Sequence, residues 1–100
     1  MSIQIPTVLT LVIPAFNEAA RLPQSLVELQ RHSAGWDFPY EIIVVVEPGS
    51  DRTLELARAA AKNFPELNVI GNPVHRGKGF AVRTGMLAGR GRCCFSPMPI

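Results

Sequence analysis

From Leu9 the chain reads Leu-Thr-Leu-Val-Ile, meets Pro14, and turns polar at Asn17 and Glu18. Apolar residues on both alternating positions describe a strand covered on both faces, as in a parallel α/β sheet. The pattern predicts a first strand over Val8–Ile13, ended by Pro14. Glu41–Val46 is a second run, β-branched and continuously apolar after Glu41, and therefore predicted to be central. Leu67–Ile70 is a shorter third run, and Arg92–Ser96 a fourth, after which Pro97-Met98-Pro99 forbids an ordinary continuation. Between the strands the period changes. Leu22, Leu26 and Leu29 recur at helical spacing, with Pro23 in the first turn and the pattern fading near Ser33-Ala34-Gly35. Leu54, Ala57, Ala61 and Phe64 form a second stripe, with Ser50 as the expected N-cap, Asp51 in the first turn and Pro65 as the stop. A third helix is predicted over Gly79–Gly89, with Ala81, Val82, Gly85, Met86 and Gly89 on one face. Trp36–Tyr40 reads as a packing connection.

The order β-α-β-α-β-α-β predicts right-handed crossovers and a Rossmann-like parallel sheet with helices on both faces, an α/β fold. Ligands of such sheets bind beyond the carboxyl ends of the strands. Three polar loops should gather there: Pro14–Glu18, Glu47–Asp51 and Asn72–Lys78.

Composition narrows the choice. With 100 residues and 47% hydrophobic content, one small globular domain spanning residues 1–100 is expected. The net charge of +2 is too small to argue for a nucleic-acid partner. The basic residues do cluster late, at Arg76, Lys78, Arg83, Arg90 and Arg92, with no acid after Glu66. Cys93 and Cys94 are adjacent and fit neither a metal spacing nor a disulfide framework. No signal-peptide pattern and no run near the roughly 18 apolar residues of a membrane span is present. A reduced, cytoplasmic setting is expected.

The loops carry the candidate chemistry. Pro14, Phe16, Asn17 and Glu18 offer a rigid turn, a flat ring and a carboxylate, the parts needed to hold a nucleoside. Glu18 reads either as a ligand for ribose hydroxyls or as a helix cap. Glu47 reads either as an acceptor for a base N–H or ribose hydroxyl, or as a solvated turn residue. Gly77-Lys78-Gly79 opens a helix, where backbone N–H groups and the lysine favour phosphate. A Walker A loop is excluded, because Gly71 is one residue too far from Gly77 and Gly79 replaces the hydroxyl residue. The dinucleotide pattern G-x-G-x-x-G does not follow the first strand. Arg83, one turn into the third helix, reads equally as a phosphate or base contact and as an exposed residue. His32 and His75 stand apart, and Ser50 lacks a nucleophile elbow, so none is given a catalytic role.

The three segments VIPAFNEAARL, EIIVVVEPGSDRT and NPVHRGKGFAVRTGM together resemble the inverting, GT-A-fold glycosyltransferases of family 2, above all the dolichyl- and polyprenyl-phosphate sugar transferases. The resemblance covers about Leu9–Arg92 and implies the N-terminal half of a GT-A fold. It implies a nucleotide-diphospho-sugar donor, with Pro14, Phe16 and Glu18 at the base and ribose, Glu47 near the base, and Lys78 and Arg83 at basic positions of the third motif. For a full-length relative it implies Mg or Mn as cofactor, a lipid-phosphate or sugar acceptor, and the cytoplasmic face of a membrane. Two departures are visible. The family's D-D-G-S-x-D-x-T is here Glu47-Pro48-Gly49-Ser50-Asp51-Arg52-Thr53, one residue shorter, with Glu and Pro for two aspartates. Its metal-binding D-x-D is due after the fourth strand, where this chain reads Ser96-Pro97-Met98-Pro99-Ile100. The expectation is a truncated nucleotide-sugar-binding part, inactive alone and prone to self-association; the alternative is a non-catalytic nucleotide-binding or interaction module. A frameshift would account for the break. With a permitted codon choice, Phe95–Ile100 becomes Phe-Thr-Asp-Ala-Asp in a shifted frame that drops the first two bases of the Phe95 codon.

Overall fold

The computed structural model describes residues 8–49, 51–73 and 78–95, with the backbone alone at 78 and 92–95. The elements run β1 (Leu9–Ala15), α1 (Leu22–Ser33), β2 (Tyr40–Val46), α2 (Thr53–Ala61), β3 (Leu67–Gly71), α3 (Lys78–Ala88) and β4 (Arg92–Phe95). The four strands form one parallel sheet in the order β3-β2-β1-β4. Ser96, included in the predicted fourth strand, and the Pro-Met-Pro that follows lie outside the described residues.

Period-2 alternation along β2 divides the core. Ile42, Val44 and Val46 pack with Ile13, Ala15 and Leu67 under Leu22 and Leu26 of α1, Ala57 of α2 and Phe64. Ile43 and Val45 point the other way and pack with Val12 under Ala81 of α3. Helices therefore cover both faces, as the connections predict. Every residue from 41 to 47 is buried. Full burial of each Val or Ile here is worth about 1.5–3 kcal/mol. Phe64 sits beyond the end of α2, at Ala61, yet is 1% exposed. A tightened turn carries it inward, with Phe64 N donating to Ala61 O.

Three sequence expectations need correction. Pro14 does not end β1; the strand continues to Ala15, with Pro14 opposite Val45 and Ala15 opposite Val46. Backbone groups in a parallel strand alternate between neighbours. Ala15 O accepts Glu47 N on the β2 side, so the N–H that Pro14 lacks would face away from β2, and the β1–β2 ladder runs on past it. Helix α2 begins at Thr53 with Arg52 at the N-cap, rather than at Asp51 after a Ser50 cap. Met86 does not join the packed face of α3: it is 49% exposed, and Leu87 beside it 78%.

Small residues decide how α3 meets the sheet. A Cβ on Gly85 would lie 2.3 Å from Val12 Cγ1, and one on Gly89 would lie 2.6 Å from Thr10 Cγ2. The helix backbone thus rests directly on β1. At the amino edge the Arg90 guanidinium reaches the buried Glu41 carboxylate at 3.4 Å, and Gly91 N donates to Thr10 Oγ1 at 2.9 Å. These contacts pin the turn from α3 into β4.

Gly85→Ala is expected to lower unfolding free energy by about 1–3 kcal/mol through overpacking, despite a helix-propensity gain of about 1 kcal/mol. Chemical denaturation checks this, and a double-mutant cycle with Val12→Ala should show favourable coupling. A Gly85→Ala protein as stable as the parent would contradict the close α3–β1 contact.

Candidate functional site

The carboxyl edge is built from the chain leaving β1, β2 and β3. After Ala15, Phe16 and Asn17 are exposed, and Asn17 takes φ 50°, a left-handed conformation that asparagine tolerates better than most residues. Glu18 O then accepts the N–H groups of Arg21 at 3.0 Å and Leu22 at 2.7 Å, which starts α1. This loop lies on the loop that follows β2. A Cβ on Gly49 would stand 2.1 Å from Asn17 Oδ1 and 3.5 Å from Phe16 Cε1, so any larger residue at 49 displaces the Asn17 amide.

The amino end of α2 joins the same two loops. Asp51 Oδ1 accepts Thr53 N at 3.1 Å and also the Thr53 hydroxyl. Asp51 Oδ2 accepts Ala19 N at 3.0 Å, and Thr53 Oγ1 accepts Glu18 N at 2.9 Å. Thr53 is 2% exposed. Two consecutive amides of the β1–α1 loop are therefore held by side chains at the start of α2. The Thr53 hydroxyl is the largest cause that keeps the Asp51 carboxyl below its ordinary 3.8, and the Ala19 and Thr53 amides act in the same direction.

Two carboxylates flank this junction. Glu47 follows β2 directly, is 3% exposed, and donates its N–H to Ala15 O at 2.9 Å. Glu18 is turned toward Arg21, whose Nη2 stands 3.1 Å from Oε2 and donates to Oε1 at 3.3 Å. Glu18 Oε2 is shut off from solvent and accepts no hydrogen bond among the described groups. The carboxylate of Glu18 therefore does not cap α1.

A cleft of about 330 Å³ opens beside Glu47, between the end of β2, the start of α2 and the end of β3. Asp51, Thr53, Arg58, Gly71 and Asn72 share its wall with Glu47. Arg52 and Glu55 also line it and form an exposed ion pair at 3.0 Å. Asn72 N donates to Val46 O at 2.9 Å, and Asn72 Nδ2 donates to Thr84 Oγ1 at 3.4 Å, which links β3, β2 and α3.

Of the residues singled out from sequence, Glu47 lies in the cleft wall, and Phe16 and Asn17 meet Gly49, another wall residue. Glu18 reaches Thr53 through its backbone. Pro14 is half-buried within β1, Lys78 is the first residue of α3, and Arg83 is exposed on α3. Ser50 and residues 74–77 lie outside the described residues. Sequence reasoning placed Asp51 and Asn72 in loops at this edge without giving either a role there, and it missed Thr53 and Arg58. The signal for Asp51, Thr53 and Asn72 was the D-x-T spacing at the α2 start and a polar residue just past β3.

Among the described residues no group of three His, Cys, Asp or Glu side chains could hold a metal ion. No helix among them is long and apolar enough to cross a membrane.

These features define a Rossmann-like α/β domain with its polar loops joined at the carboxyl edge of the sheet. Its backbone superposes on the mannosyltransferase PcManGT from Pyrobaculum calidifontis, solved in complex with GDP-Man and Mn2+, with a TM-score of 0.62 and 26% identity; 86% of this chain and 25% of that one are covered. The chain belongs to Glycosyl transferase family 2, whose profile matches residues 10–96. It is 42% identical over 91 residues to the dolichyl-phosphate beta-glucosyltransferase of Drosophila melanogaster, covering 84% of this chain and 28% of the relative. It is 38% identical over 88 residues to dolichyl-phosphate beta-glucosyltransferase ALG5A of Trichomonas vaginalis, covering 83% and 27%. The chain spans about a quarter of the length of these curated relatives.

The lowered Asp51 pKa fixes the sign of a pH effect. The unfolded chain binds this proton more readily than the folded one, so Asp51 adds stability above pH 3.8 that is lost as pH falls through its folded pKa. Thermal melts of the parent and Asp51→Asn should converge as pH is lowered below 3.8. A gap that stays constant down to the acid limit would contradict this assignment.

Proposed function

We propose that this chain is the nucleotide-diphospho-sugar-binding part of an inverting glycosyltransferase that delivers a sugar to an acceptor such as a polyprenyl phosphate. The observation that carries the reading is the junction of the β1 and β2 loops beside the cleft, with the Glu47 carboxylate in its wall. Membership of family 2 and the GDP-Man held by PcManGT support it. Open α/β sheets bind ligands at this edge.

In this reading residues 1–100 act as one nucleotide-sugar-binding domain. The Phe16 ring stacks on the base, and Pro14 and Asn17 shape the turn beneath it. Glu47 accepts a hydrogen bond from a base N–H or a ribose hydroxyl, and Glu18 accepts from ribose. A buried carboxylate that accepts such bonds discriminates well, because removing either partner leaves a buried group unsatisfied. Lys78 and Arg83, on α3, supply positive charge for the diphosphate. A polyprenyl-phosphate acceptor would place the transfer at a membrane surface, on its cytoplasmic face.

PcManGT was solved with Mn2+, and Mg or Mn is the cofactor proposed for a full-length enzyme of this kind. A metal on the diphosphate would neutralise the leaving group. The described residues do not assemble a ligand set for it. Binding of the nucleotide, rather than transfer, is the activity assigned to them.

Calorimetric titration with uridine and guanosine diphosphates, without metal, should show weak binding of at least one. Glu47→Gln and Glu18→Gln should each weaken it about tenfold, the scale of one charge-assisted hydrogen bond. Absence of heat with both nucleotides, on a sample folded by circular dichroism, would overturn the proposal.

A further inference from the structure

The hydrogen bonds at the start of α2 reach further than capping needs. A helix cap satisfies N–H groups of its own first turn. Asp51 Oδ1 does so for Thr53 N at 3.1 Å. The remaining acceptors point away from the helix. Asp51 Oδ2 takes Ala19 N at 3.0 Å, across 32 residues of sequence. Thr53 Oγ1 takes Glu18 N at 2.9 Å, across 35 residues. The Thr53 hydroxyl gives its own proton to Asp51 Oδ1, so its lone pair is oriented for the Glu18 amide. The chain is thus gripped immediately after Phe16 and Asn17, where it leaves the left-handed turn at Asn17. Both gripping side chains also stand in the wall of the cleft.

We propose that Asp51 and Thr53 are positioning residues that hold the β1–α1 loop in its nucleotide-binding conformation, a role that rests on the function proposed above. Without the latch, two adjacent amides lose their acceptors, and the loop that carries Phe16, Asn17 and Glu18 must be ordered by the nucleotide itself. Binding then bears that ordering cost. The latch acts through the loop backbone and needs no contact with the ligand.

The test compares Thr53→Val, Thr53→Ser and Tyr40→Phe in the full chain. Thr53→Val keeps the shape and removes the hydroxyl; Thr53→Ser keeps the hydroxyl. Tyr40→Phe removes a 2.9 Å hydrogen bond to Ser33 Oγ at the opposite edge of the sheet and serves as a structural control. Thr53→Val should weaken nucleoside diphosphate binding about tenfold, on the scale of one lost hydrogen bond and the ordering of its loop. Thr53→Ser should bind within about twofold of the parent, below the resolution of one such bond. Tyr40→Phe should lower the melting temperature and leave affinity unchanged. By NMR hydrogen exchange, Thr53→Val should deprotect the Glu18 amide while the amides of β2 stay protected. Retained protection, or Thr53→Val affinity equal to the parent's, would overturn the latch. A parent chain that binds no nucleotide would overturn the proposed function instead, and the exchange of the Glu18 amide would still decide the latch.

Discussion

The burial of β2 on both faces is the constraint on which the rest depends. A parallel strand buried at every residue from 41 to 46 needs a helical layer above and another below. Leu22, Leu26 and Ala57 cover Ile42, Val44 and Val46, while Ala81 closes over Ile43 and Val45. The parallel arrangement then sends every strand's carboxyl end to one edge. Because burial continues through Glu47, a carboxylate is held at that edge inside protein. The chemistry of the edge follows from the packing of the sheet.

The edge has its own structural logic. A parallel sheet aligns its loops but does not join them. Here three contacts do so: the Asn17 amide over Gly49, the Asp51 and Thr53 side chains on the Glu18 and Ala19 amides, and Asn72 between Val46 and Thr84. Asp51 and Thr53, spaced as D-x-T, bind the first loop to the second helix. A glycine at 49 and a positive φ at Asn17 let the loops approach.

Much of the fold was legible in the sequence because it rests on period. The leucines at 22, 26 and 29 and the aliphatic run through Val46 repeat as their elements require, and the structure places each element within a few residues of its predicted bounds. Pro14 misled because proline is read as a breaker; the donor it lacks lies on the side away from β2, so the ladder between β1 and β2 continues to Ala15. Met86 misled because its place on the helical wheel beside Gly85 says nothing about how narrow the contact with Val12 is. Of the candidate site, Glu47 and the β1 loop were legible from their position after apolar runs. The Asp51–Ala19 and Thr53–Glu18 bonds were not, since they join residues more than thirty apart with no periodic signature. Arg58 was hidden for a related reason: an exposed arginine on α2 looks the same in sequence whether or not a cleft opens beside it.

The central claim is that the joined carboxyl edge is where this chain meets a nucleotide. NMR shift mapping during titration with uridine and guanosine diphosphates tests it most directly. The account predicts that the perturbed amides cluster at Ala15–Glu18, Glu47–Gly49 and Asn72, with Trp36–Tyr40 at the opposite edge unchanged. Perturbations centred on the amino edge, or scattered over the surface without saturating, would contradict it.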